Sequence, residues 1–201
     1  MVRTTLLALV LCLVVAGCGS GEPSPPASPP PAGWTTYHDE RRGYSVSFPS
    51  GWHRARESLT PMLVDPREIV SLGSYPLRFD AGDRCYPPID APVPALDRLG
   101  PADVLVSVQE RGGSSLRGYP SRPRRFRLRP LDLRYPGRPR RCVARRIASM
   151  AFQPFSDAGR AFYVVVVTGG LASEQTRRDL QGVIDSFRFD PAVQPDWPSS
   201  G

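Results

Sequence analysis

Two histidines, two central cysteines, a few clustered acids and an uneven spread of arginine are the residues through which this chain could do chemistry. His38 and His53 are the only histidines in 201 residues. A general base or an activated nucleophile needs a partner within hydrogen-bond reach. His53 follows Trp52 and has no defined carboxylate or nucleophile partner, so an exposed or structural histidine is the plainer reading. Asp80, Asp83 and Asp90 gather around Cys85, but their spacing fits no calcium loop, and they read as solvated loop carboxylates. Gly112-Gly113-Ser114-Ser115 follows an apolar strand with no helix opening after it. A phosphate cradle needs that helix N-terminus, so a turn is expected instead. No G-x-S-x-G, H-E-x-x-H or Walker pattern occurs. No catalytic residue, metal site or cofactor is expected.

Arginine is the one uneven feature. All 26 basic residues are arginine, which a GC-rich genome would favour. Residues 117–146 hold twelve arginines and one acid, Asp132, a net +11 in a chain of net +7, so the remainder is net −4. Guanidinium forks pair well with phosphate and carboxylate. Arg125, Arg127 and Arg129 alternate, and alternate residues of a strand share a face. Together with Arg138, Arg140 and Arg141 they are the candidate anion-binding residues. The competing reading is a solvated arginine surface produced by codon usage.

The first residues bear on where the chain resides. Arg3 precedes the apolar run Leu6–Val15, which is followed by small residues, the layout of an export signal. The run is shorter than the roughly 20 residues that span a bilayer. Val15-Ala16-Gly17-Cys18 resembles the lipobox of bacterial lipoproteins. That resemblance implies cleavage before Cys18 and a diacylglyceryl group on its thiol. An ordinary signal peptide with an incidental Cys18 is the alternative. Residues 1–17 then form the signal, and 18–33 the lipidated cysteine and a Pro/Ser-rich tether. Gly19–Gly33 has six prolines and cannot build a core. At roughly 3 Å per residue it reaches about 45 Å from the lipid.

An exported chain meets an oxidising environment. With Cys12 in the signal and Cys18 lipidated, Cys85 and Cys142 can form one pair. Their bond would close a loop of more than fifty residues, worth roughly 4 kcal/mol in the chain-entropy account. Free buried thiols or a metal or nucleophile role are the alternatives.

The elements that must position these residues are legible from periodicity. Tyr44, Val46 and Phe48 alternate with serine and predict a strand; Pro49-Ser50-Gly51 predicts a turn, and Trp52–Arg56 a second strand. Further strands are expected at Glu68–Tyr75, Asp103–Gln109, around Phe126 and Leu128, Val143–Phe152 and Ala161–Thr168. Ser156–Gly159 reads as a hairpin loop. The unbroken Tyr163–Val167 run belongs in the sheet centre, covered on both faces. Pro94–Leu99 predicts a short helix. Leu180, Val183, Ile184 and Phe187 share a helical face behind a Ser173 cap, and Phe187–Phe189 reads as a last strand.

These elements predict an α+β fold: an antiparallel sheet packed by a C-terminal helix and a short middle helix, in one domain over 34–190 with a disordered tail at 191–201. "GYSVSFPSGW" near the start, with "VVVVTGG", a helix and "IDSFRF" at the end, resembles the Mog1/PsbP-like sandwich fold. The resemblance implies a binding or accessory module and carries no catalytic residue. The expected protein is therefore a non-enzymatic lipoprotein on the extracytoplasmic face of the cell membrane, held through Cys18. Its candidate partners are anionic lipid or cell-envelope polymer; nucleic acid is not expected. A carrier of a small lipophilic ligand, or an envelope enzyme without a readable motif, is the alternative.

Overall fold

The alternation at Tyr44–Pro49 becomes a strand, β2, with Tyr44, Val46 and Phe48 buried and the serines between them half-buried. This and all that follows is seen in a computed structural model, which describes residues 29–61, 63–78, 93–96, 98–113, 116–128 and 147–194. A strand without a strong sequence signal, β1 (Trp34–Asp39), pairs antiparallel with β2, Trp34 opposite Pro49 and Asp39 opposite Tyr44. The two-residue β8 (Arg188–Phe189) takes the other edge of β2, giving the three-stranded sheet β1-β2-β8.

A second, five-stranded sheet has the order β3-β4-β5-β7-β6, antiparallel throughout. Its strands are β3 (His53–Arg54), β4 (Arg67–Gly73), β5 (Val104–Arg111), β6 (Ile147–Asp157) and β7 (Arg160–Gly169). The expected strand after the Pro49-Ser50-Gly51 turn is thus only two residues long and does not fold back on β2. Both edges of β2 are already taken by β1 and β8, so β3 crosses to the other sheet and pairs with β4.

In β7 the period of two sorts the valines. Val164 and Val166 join the main core with β2, β4, β5 and the helix α2 (Glu174–Ser186), whereas Val165 and Val167 face a second cluster with Leu96, Leu99 and Leu105. Each such side chain, fully buried, contributes about 1.5–3 kcal/mol, and the five-stranded sheet is covered on both faces as the apolar run requires. α2 begins where expected: the Ser173 hydroxyl accepts the Thr176 N–H at 3.0 Å, and Leu180, Val183 and Ile184 are buried. The middle helix is a single turn, α1 (Val93–Leu96).

β6 and β7 are joined by Ala158-Gly159 alone, with φ of 51° and 73°. A two-residue hairpin turn with positive φ at both positions matches the twist of its strands. The strand expected around Phe126 and Leu128 does not form. Pro120 and Pro123 cannot donate to a ladder, and Ser121 makes only an isolated bridge to Ser156. At the far end, Asp190 N–H donates to the Gly43 carbonyl at 2.9 Å and Val193 packs on Gly43, so residues 191–194 turn against the β1–β2 connection.

Candidate functional site

The start of the arginine-rich segment is built around the end of α2. The last carbonyls of a helix lack intrahelical donors and carry its negative dipole end. Arg122 meets them: its guanidinium donates to the carbonyls of Ile184 (3.3 Å), Asp185 (3.1 Å) and Phe187, and pairs with Asp157 at 3.0 Å. Arg188 adds bonds to the Asp185 and Phe187 carbonyls. Burial pulls the Arg122 guanidinium below its ordinary range, opposed by its bond to Asp157. Arg122 is therefore structural. Arg122→Ala is expected to cost about 2–3 kcal/mol, because the half-buried Asp157 carboxylate and several carbonyls lose a charged donor. Arg125→Ala, at an exposed position, should stay within about 0.5 kcal/mol. Chemical denaturation of the two variants compares them; equal losses would remove the capping role.

Beyond Arg122 the chain is pinned by the Phe126 N–H, which donates to Asp185 Oδ1 at 3.2 Å, and by the Phe126 ring, which packs edge-on against Phe155 at 5.1 Å. With Phe126 buried, Arg125 and Arg127 on either side of it are exposed, as is Arg124. The structure thus puts two of the six candidate arginines at the surface together, though not by strand alternation. Arg129, Arg138, Arg140 and Arg141 lie outside the described residues, as do Cys18, Cys85 and Cys142.

The two histidines occupy separate grooves. His38 lines one of about 340 Å³ with Asp39, Glu40, Tyr44, Arg188 and Asp190. His53 lines a larger concavity of about 540 Å³ at the β3 edge, with Arg54, Arg56, Glu57, Leu59, Pro76, Leu77 and Arg78. His53 and Glu57 are exposed. Arg56 and Arg78 carried no signal in sequence. They are 22 positions apart, and only the pairing of β3 with β4 brings their segments together.

The Gly112-Gly113 turn is no cradle: Asp65 Oδ1 accepts the Gly112 N–H at 3.0 Å, and its other oxygen lies 3.9 Å from Arg111 Nε. Beside it Tyr119 and Tyr163 bring their hydroxyls into close contact, and Phe152 stacks on Tyr163 at 4.5 Å. Burial, with the bond to Tyr163, pushes the Tyr119 phenol up to about 12. Among the described residues no three His, Cys, Asp or Glu side chains form a metal-binding group, and no helix is long and apolar enough to cross a membrane. No protein-family model, curated protein or solved structure matches the chain.

Proposed function

We propose that the chain is a bacterial lipoprotein, anchored through Cys18 to the extracytoplasmic face of the cell membrane, whose domain is a non-catalytic module for an anionic envelope component. In this reading the two sheets and C-terminal helix form a sandwich of the Mog1/PsbP-like kind, and Cys85 and Cys142 are joined. The observation that carries it is the pair Arg125 and Arg127, exposed on either side of buried Phe126 at the start of the segment of net +11. A tether of up to about 45 Å keeps that surface near the lipid, so weak attraction over a Debye length of about 8 Å suffices. His53 and Glu57 share a concavity, which an envelope enzyme would use. Among the described residues no serine, threonine or cysteine lines it to serve as nucleophile, and binding is the better-supported reading.

The anchor is tested by labelling cells with a clickable fatty acid. The wild-type chain takes up label and Cys18→Ala does not; label retained in the alanine variant overturns the assignment. The surface is tested with residues 19–201, which keep every described residue. Sedimentation with anionic vesicles is expected at low salt, weakening at high salt and in Arg125→Gln/Arg127→Gln. Binding absent at low salt, or indifferent to salt, leaves a solvated arginine surface.

A further inference from the structure

The concavity at the β3 edge has walls that are each held by buried hydrogen bonds. After β3 the chain turns outward through residues 57–60, and this turn is fastened by one carboxylate. Glu68, 6% exposed, accepts the Leu59 N–H (2.7 Å), the Thr60 N–H (2.9 Å) and hydroxyl (3.0 Å) and the Ser58 hydroxyl (3.1 Å) on Oε2. Leu59 is driven into the interior as a result, at 1% exposure, beside Ala55 and Ala95. The facing wall follows β4. The Tyr75 hydroxyl donates to the Ala95 carbonyl at 2.7 Å, and Leu77 packs against the clusters on both sides.

These supports leave the cationic side chains on fixed backbone. Arg56 comes from the first wall and Arg78 from the second; both are exposed, and neither is spent on a hydrogen bond or ion pair among the described residues. Arg54 also lines the concavity, and its guanidinium lies 4.1 Å from the centroid of the Tyr37 ring. Among the described lining residues three arginines stand against one acid, Glu57, a net +2 counting His53 as neutral. Leu77 and Pro76 supply an apolar portion, with buried Leu59 beneath. The concavity's volume of about 540 Å³ falls in the range of small-molecule clefts, and it lies partly open to solvent.

We infer that this concavity is a binding site for a phosphate monoester attached to an apolar body. Such a group carries about −1.5 to −2 at pH 7, which matches the lining charge, and its oxygens suit guanidinium forks better than a lone carboxylate does. The apolar body would lie on Leu77 and Pro76. The site is distinct from the arginine surface around Phe126. That surface follows the Ser121–Ser156 bridge at the β6 edge, four strand spacings from β3, or roughly 19 Å.

The same chemistry could be offered by a free phosphorylated metabolite or by a phosphatidic-acid headgroup. The test uses the full chain in non-ionic detergent, titrated calorimetrically with phenyl phosphate and, in a second arm, with micelles doped with phosphatidic acid. Saturable binding is expected in at least one arm, with phenol silent. Arg56→Gln/Arg78→Gln should weaken it about tenfold or more at unchanged melting temperature, whereas Arg125→Gln/Arg127→Gln should leave it within about twofold. Binding of phenyl phosphate alone marks a free ligand; binding of the micelles alone marks a headgroup. No binding in either arm, binding that survives Arg56→Gln/Arg78→Gln, or equal loss in both double variants overturns the inference. Loss of vesicle binding in Arg125→Gln/Arg127→Gln alone speaks to the arginine surface and not to this pocket.

Discussion

Glu110→Leu is expected to destabilise the domain by about 4 kcal/mol, which for a domain of this size lowers Tm by roughly 10 °C. Glu110 and Arg160 form a two-pronged pair, Nε to Oε1 at 2.7 Å and Nη2 to Oε2 at 3.0 Å, with both side chains almost wholly buried. The Arg160 guanidinium also faces the rings of Phe162 and Phe189, at 5.1 and 5.6 Å from their centroids. Removing one member of a buried pair strands the other charge away from water, which costs far more than the intact pair contributes. The two ends are not equivalent. Arg67 stands opposite Glu110 in the β4–β5 register; burial pulls its guanidinium below its ordinary range, and the attraction of Glu110 opposes this. Glu110→Leu therefore takes the neighbouring acid from both Arg160 and Arg67. Arg160→Met leaves Glu110 still beside Arg67 and should cost less, about 2–3 kcal/mol. The double replacement, which strands no member of the pair, should recover much of the loss. Urea denaturation of the three variants decides it: an Arg160→Met loss larger than that of Glu110→Leu would refute the shared-acid arrangement.

Glu68→Ala should have the next largest effect, about 3 kcal/mol. Besides the four donors from residues 58–60, Glu68 accepts the Ser71 hydroxyl on Oε1 at 2.6 Å, and Ser71 Oγ in turn lies 2.9 Å from Ser107 Oγ. Deleting the carboxylate leaves the buried Leu59 N–H without its acceptor and the Ser71 hydroxyl with Ser107 alone, and an unsatisfied buried donor costs about 1–3 kcal/mol. The damage should be local before it is global, because the turn at 57–60 is tied down through this residue. Limited trypsinolysis is expected to cut after Arg56 well before the core is lost, and much faster than in wild type. A variant that melts lower but shows no earlier cleavage at Arg56 would show that Glu68 supports the sheet and not the turn.

The difference between these two sites reflects how far apart their parts lie in the chain. Much of the fold is written in local periodicity. The alternation at 44–48, the buried runs of β4, β5 and β7 and the Ser173-capped face of α2 each state their own conformation within a dozen residues. In each case the pattern of burial is the pattern of the element. β1 states nothing of the kind: Thr35, Thr36 and His38 are exposed, so its strand exists because β2 offers an edge. β3 likewise had a strand signal but no signal of which sheet would receive it, since that depended on β2 having both edges filled.

What concerns function divides in the same way. The sequence by itself carries the excess of arginine and the resemblance of Val15–Cys18 to a lipobox, because charge count and segment order need no folding. Only the tertiary structure decided how individual charges are used. It buries Arg160 against Glu110, fifty residues away, through the β5–β7 register, and spends Arg122 on the end of α2. It leaves Arg125 and Arg127 in solvent, and it gathers Arg54, Arg56 and Arg78 beside Leu59 and Leu77. A guanidinium behaves as a structural tie or as a ligand-binding group according to the acceptors and the water within its reach, and for this protein strand pairing over distant segments sets both.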